Sequence, residues 1–321
     1  MTQTCSDIAV SLDESLAATA PFAQAWLVIE VPGSWGRQAV SESGLPDGLG
    51  ATLLDRAHSS GTTVIVARRP GKSADVDPAT RRVWLAHTTP GGVRMRVADI
   101  ADPRVLLDLD LAAMARGVGQ GLGERSTELA LFVCANAKRD ACCARLGGGI
   151  ARNLAASPSR DAVWESSHLG GHRFAATALL LPFGTVFGRL DLESAQSVLD
   201  DAQRGQLSLP HYRGRSAFPR WHQAAEIAVR EAESITGIDS LDVLRVSSAG
   251  VVAWLAGIPP EPAEPTVETE VRCVDGRAWR VTVARSARLP ERSESCTGEN
   301  VPGTLWNVVS VTPTTPWRPY P

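Results

Sequence analysis

Long hydrophobic runs are missing from this chain of 321 residues. Its longest apolar stretches, such as residues 175–183, fall far short of the roughly 20 consecutive apolar residues that a membrane-crossing helix needs. An excess of either charge is missing as well. Thirty-two Lys plus Arg against 35 Asp plus Glu leave a net charge of -3, so nothing draws the chain toward nucleic acid or anionic lipid, and neither is an expected partner. Cysteine is scarce: six residues are too few for a disulfide scaffold. The opening stretch MTQTCSDIAVSLDES carries acidic residues where a secretory signal would carry basic ones. The expected compartment is therefore the reducing cytoplasm, where unusual cysteine spacing points to metal binding or redox chemistry. No G-x-G-x-x-G or Walker loop and no G-x-S-x-G elbow occurs, which leaves an autonomous NAD(P)H-dependent reductase unsupported.

A hydrophobic content of 44% with 21% charged residues is that of a globular protein long enough for more than one domain. Strand-like WLVIEV (26–31) precedes a helical stretch within 45–60, then TTVIVARR (62–69), RVWLAHT (82–88), GVRMRVADI (92–100) and a helix over about 106–117. The same order then recurs: ELALFVC (128–134), a helix over 142–156, AVWES (162–166), FAATALLL (174–181), TVFGRLD (185–191) and a helix over 194–204. The expected fold class is α/β, with two tandem thioredoxin-like units of order β-α-β-β-β-α, residues 1–120 and 121–210, and a C-terminal extension, 211–321. That extension holds a helix over 219–237 and a β-hairpin turning at Asp275-Gly276. The terminal PTTPWRPYP cannot be helical and is expected to be extended.

Four residues of the second unit carry the candidate chemistry. Cys134 ends its first strand, Cys143 follows after eight residues, His168 after 24 more and His172 after a further three. In the expected fold all four open on the carboxyl edge of the sheet, where such folds place ligands. A helix N-terminus at Cys143, with Lys138 and Arg139 nearby, favours the thiolate a metal requires. Gly170 and Gly171 between the histidines permit the tight turn that lets both imidazoles face one centre. A Cys2His2 set suits Zn²⁺, or a [2Fe-2S] cluster with two cysteines on one iron and two histidines on the other. The wide spacings do not fit a zinc finger and favour the cluster. Cys142 competes with Cys143, but neighbours at a helix start point about 100° apart, so one of them faces the metal.

KRDACC (138–143), HLGGHRFA (168–175) and PFGTVFGRLD (182–191) resemble the sucrase/ferredoxin-like family, relatives of the thioredoxin-like [2Fe-2S] ferredoxins. The segment from Cys5 to Gly36 and YRGRS (212–216) extend the likeness over most of the chain. The resemblance implies a [2Fe-2S] cluster held by Cys134, Cys143, His168 and His172, with the histidines where related ferredoxins have cysteines, and it selects Cys143 over Cys142. The family's reaction and electron partners are largely undefined, and its name is no evidence for sucrase activity. The expected role is one-electron transfer between unidentified donor and acceptor proteins, more an electron carrier than a stand-alone enzyme. Two imidazoles in place of two thiolates raise the potential, and their second nitrogens make proton coupling available.

The rival from another class is a structural or regulatory zinc protein using the same four residues. A thiol redox enzyme built on Cys142 or Cys143 ranks last, because C-x-x-C spacing is missing. Cys5, Cys273 and Cys296 show no partner spacing and are read as ordinary core or surface residues. His58, His87, His211 and His222 are read as structural or solvated, and Trp164 as a candidate shield for the centre. The first unit has Ser34, Trp35 and Gly36 where the loop cysteines would be, so it is expected to hold no ligands.

Overall fold

A computed structural model describes residues 4–71, 79–119, 121–247, 250–252, 262, 265–286 and 289–315. The protein is a mixed α/β structure dominated by sheet. Along the chain run α1 (Cys5–Ser11), β1 (Ala25–Glu30), α2 (Leu49–Ala57), β2 (Thr62–Arg68), β3 (Arg81–His87), β4 (Arg94–Ile100), α3 (Leu111–Ala115) and β5 (Glu124–Ser126). Next come β6 (Ala130–Cys134), α4 (Gly148–Leu154), β7 (Val163–Ser166), β8 (Ala178–Leu181), β9 (Thr185–Phe187), α5 (Leu192–Gln203), β10 (Tyr212–Arg215) and α6 (Arg220–Glu233). The last part contains β11 (Leu241–Ser247), β12 (Gly250–Val252), β13 (Thr266–Cys273), β14 (Ala278–Arg285), β15 (Leu289–Ser293), β16 (Asn300–Gly303) and β17 (Trp306–Pro313).

Ten strands form one sheet in the order β10-β9-β8-β6-β7-β2-β1-β3-β4-β5. Within it the pattern repeats. β1 pairs parallel with β2 and antiparallel with β3, which pairs antiparallel with β4; β6 pairs parallel with β7 and antiparallel with β8, which pairs antiparallel with β9. The halves join where β2 and β7 meet antiparallel over only Ala67↔Ser166 and Arg68↔Glu165. Both of these strands end at that seam, so the carboxyl ends of the two parallel pairs come close together.

Alternation along the strands builds three cores. Leu27, Ile29, Val64 and Val66 face α2 and α3. In the second half Leu131, Val133 and Val163 face α4 and α5. The opposite faces of both halves, with Trp26, Val28, Trp84, Phe132, Trp164 and Leu179, share one core. Trp84 in β3 packs edge-on against Phe132 in β6, ring centroids 5.2 Å apart, and against Trp164 in β7 at 4.6 Å. On a flat sheet β3 and β6 would lie about 19 Å apart, four spacings of about 4.8 Å. The sheet is therefore bent sharply enough to bring its two halves face to face.

A second, antiparallel sheet of order β12-β11-β13-β14-β17 packs Val271, Trp279, Val281 and Val283 against Trp221, Ala225 and Val229 of α6. The hairpin expected at Asp275-Gly276 joins β13 to β14, with Gly276 at φ 93° and the Arg277 amide donating to Asp275 Oδ1. β15 and β16 form a separate ribbon. Residues 316–321 of the terminal segment lie outside the described residues.

Several elements depart from the sequence reading. Residues 5–11, to which the sequence reading assigns no element, form α1, capped by Thr4 and Asp7 in a reciprocal capping box. The helix expected over about 106–117 divides into a 3-10 turn (Pro103–Asp108) and short α3, because Asp110 caps a new start. The strand expected over 174–181 begins only at Ala178, since His172–Phe174 form a 3-10 turn. Helix α6 ends at Ser234, which takes a left-handed φ of 53°, rather than running to Gly237. No described helix is long and apolar enough to cross a membrane.

The ribbon is fastened beside α1 by a buried ionic triad. Glu14 Oε1 accepts from Arg173 Nε at 3.0 Å, and its carboxylate also takes Nε and Nη2 of Arg292 in β15. Burial opposes the Glu14 charge, but the two guanidiniums outweigh it and hold the carboxyl below its ordinary range. Glu14→Gln would leave buried Arg292 without its carboxylate and Arg173 with only the exposed Glu294, 3.3 Å from its Nη1, and should cost about 3–5 kcal/mol. Urea unfolding of the variant checks this, and a midpoint equal to wild type would show that the triad contributes no stability.

Candidate metal centre

Parallel pairing of β6 and β7 puts Cys134 level with Ser166 at the end of the adjacent strand. His168 follows two residues later, so strand register alone delivers a thiol and an imidazole to one edge. Cys143 opens a single π-helical turn, Cys143–Gly147, that leads into α4. Gly147 lies so close to the Cys134 backbone that a Cβ there would collide with the Cys134 carbonyl oxygen. That approach brings Cys143 to the strand end. Donor atoms of Cys134, Cys143 and His168 all lie within 4.8 Å of one another.

His172 stands beside this trio rather than inside it. Its ring centroid is 4.4 Å from that of His168, and its Nδ1 is 3.2 Å from Asp140 Oδ2. The angle at that contact is not that of a hydrogen bond. Nδ1 of His168 and Nδ1 of His172 are both buried, and neither has a hydrogen-bond partner among the described residues. Buried polar atoms are almost always partnered. Two orphaned imidazole nitrogens beside two buried thiols are the donor set that a thiophilic metal or a [2Fe-2S] cluster would satisfy. Both cysteines are fully buried, whereas both histidines are partly exposed.

Charge is arranged accordingly. Hydrogen bonding from the Cys143 thiol, opposed by burial and supported by His168, pulls the Cys134 thiol well below its ordinary range. Cys143 moves the opposite way, chiefly because it gives its hydrogen to Cys134 and is buried, so the pair shares one proton. Burial, together with neighbouring His168, lowers His172 to about 4. It is therefore a neutral imidazole at neutral pH, the form that ligates metal.

The loop between the histidines needs its glycines. Gly170 and Gly171 have φ of 81° and 72°, and a Cβ on Gly171 would run into the Arg213 guanidinium. Arg213 is fully buried; it donates to the Gly170 carbonyl at 3.1 Å and to Thr19 Oγ1 at 3.0 Å, which pins the loop from below. Burial, then Arg173 nearby, lowers it to about 9, which leaves it charged at neutral pH. The segment YRGRS thus has a physical role invisible in its sequence. Arg215 reaches Asp239 and the Thr88 carbonyl, while Ser216 Oγ accepts from Trp26 Nε1 at 2.9 Å.

Cys142 points away from the trio, as the helical offset from Cys143 requires. It meets Cys5 and Cys296, two cysteines read from sequence as ordinary. Their convergence had no sequence signal, because 137 and 154 positions separate them from Cys142. Cys273 is buried in the second sheet's core. Trp164 lies in the same core as Cys134 and Cys143, with Arg69 over its ring at 3.7 Å. In the first half Trp35 is buried, its Nε1 donating to the Val31 carbonyl, and the Gly36 carbonyl accepts from Asn136 of the ligand loop.

Residues 16–214 match the family described as Sucrase/ferredoxin-like. No curated protein and no solved structure gives a significant match.

Gly171→Ala should force Arg213 away and distort the histidine loop, adding at least the 1–2 kcal/mol of a left-handed backbone at a non-glycine residue. The expected result is a protein that folds but carries much less metal per chain. Metal analysis beside a circular dichroism spectrum checks it, and full metal content in the variant would show that the loop tolerates a side chain there.

Proposed function

The chain belongs to the sucrase/ferredoxin-like family, and on that premise we propose that it is a one-electron carrier. Its cofactor is a [2Fe-2S] cluster held by Cys134, Cys143, His168 and His172, seated in the second of two tandem thioredoxin-like units. The observation that carries this reading is the gathering of two buried thiols and two imidazoles with orphaned nitrogens at one sheet edge. The strand order repeated in the two halves supports the tandem description.

When bound, the cluster would take up and release a single electron. The chain's own residues do the rest. Cys134 and Cys143 supply thiolate from the dry interior, while His168 and His172 supply neutral donors at the partly exposed side. Electrons would therefore enter and leave past the imidazoles, where a partner protein can approach. Trp164, Leu169 and Phe132 close the opposite side in the core shared with the cysteines and keep water from it. Arg213 and the two loop glycines hold the histidines in place and reduce the rearrangement on electron uptake.

Aerobic purification should give a red-brown protein containing iron and sulfide. A colourless protein with zinc at these four residues would replace the electron-carrier reading by the zinc one. His172→Cys should retain a cluster with a shifted visible spectrum and a lower midpoint potential, because a thiolate adds negative charge. A spectrum and potential identical to wild type would remove His172 from the ligand set.

A further inference from the structure

A second group of sulfur donors lies on the outer side of the ligand loop. Cys142 Sγ is 3.2 Å from Cys296 Sγ and 3.5 Å from Cys5 Sγ, and Cys5 and Cys296 are 3.6 Å apart. The three come from separate parts of the chain: the start of α1, the ligand loop and the turn between β15 and β16. Asp140 completes the group, with all four donor atoms within 4.8 Å of one another. We propose that Cys5, Cys142, Cys296 and Asp140 form a zinc site, separate from the centre at Cys134 and Cys143.

The geometry favours a metal over three ordinary thiols. Tetrahedral zinc with Zn–S bonds of about 2.3 Å holds its sulfurs about 3.8 Å apart. The observed sides fall short of that by about 0.2 to 0.6 Å, so a modest expansion of the triangle reaches it. A disulfide would join two sulfurs and strand the third, yet all three sides of the triangle are nearly equal. The surroundings suit thiolate. Ser6 Oγ donates to Cys142 Sγ at 3.2 Å, a hydrogen bond of the kind that orients and tunes a metal-bound sulfur.

Asp140 is held ready by the backbone. Its Oδ1 accepts from the Cys142 amide and its Oδ2 from the Cys296 amide, both at 2.9 Å. Each carboxylate oxygen keeps a further lone pair, and Oδ1 lies 4.0 Å from Cys5 Sγ. Three soft donors and one oxygen suit Zn²⁺ in a closed four-coordinate site. The ribbon that supplies Cys296 is independently fastened by Arg292 to Glu14, so Cys296 is brought to this place by more than its own contacts. The zinc would bind α1 and the turn between β15 and β16 to the loop that carries Asp140 and Cys142, where Asp140 Oδ2 also lies 3.2 Å from His172 Nδ1.

With iron at the Cys134 site, as proposed above, X-ray absorption at the zinc edge reads this zinc apart from it. The full chain, purified without chelator, should contain about one zinc with three sulfurs near 2.3 Å and one oxygen. Cys296→Ser, which changes the most accessible of the three cysteines, should lose that zinc and keep its iron. Three findings would each overturn the proposal. They are a wild-type chain that takes up no zinc when Zn²⁺ is supplied, zinc with two sulfurs and two imidazole nitrogens, and a disulfide within the trio in a non-reducing peptide map. The wild-type spectrum decides even if the variant does not fold.

Discussion

Register between two short parallel strands is the constraint on which the candidate centre depends. Cys134 closes β6 level with Ser166, and His168 emerges immediately beyond. Successive residues of β6 face opposite sides: Leu131 and Val133 look toward α4 and α5, while Phe132 and Cys134 look into the core shared by the halves. A slip of one residue would turn the Cys134 sulfur to the helical side, away from Cys143. What fixes the register is burial on both faces of the strand, because every residue of β6 is enclosed. The chemistry at the edge is thus positioned by apolar packing several residues away from it.

Much of this was legible in the sequence because it is local. Short runs of apolar residues marked β1, β2, β6 and β7, the Asp275-Gly276 turn marked the hairpin, and Cys134, Cys143 and His168 converge through short-range connections alone. The position of His172 was only partly legible. The glycines announced a tight turn, but that Nδ1 would lie beside Asp140 depends on a side-chain rotation that no spacing encodes. The meeting of Cys5, Cys142 and Cys296 was not legible at all, because it depends on where two distant segments dock. The signal for α1, Thr4 followed by Asp7, was present and local; its apolar stripe is too short to stand out.

Several of the described charged residues are buried where segments cross, Arg215, Glu226 and Arg230 beside opposite charges and Arg213 among carbonyl and hydroxyl acceptors. Arg213 and Arg215 are fully enclosed; one fastens the histidine loop, and the other links β10 to Thr88 of the first half and to Asp239. Glu226 and Arg230, one turn apart on α6, are likewise sealed from water, with Tyr212 donating to the same carboxylate at 2.9 Å. Such pairs contribute little net stability compared with apolar replacements. They do fix which segments can meet, since a mismatched arrangement would strand a charge in the interior.

The bend of the ten-stranded sheet makes its two halves depend on each other. Because the candidate centre lies in one half of this sheet, the other half could be expected to be dispensable. Here Trp26, Val28 and Trp84 form the opposing wall for Phe132, Trp164 and Leu179. Removing that half would bare the aromatic side of the core that also holds Cys134 and Cys143. The half without those cysteines therefore serves as a lining for the half that carries them.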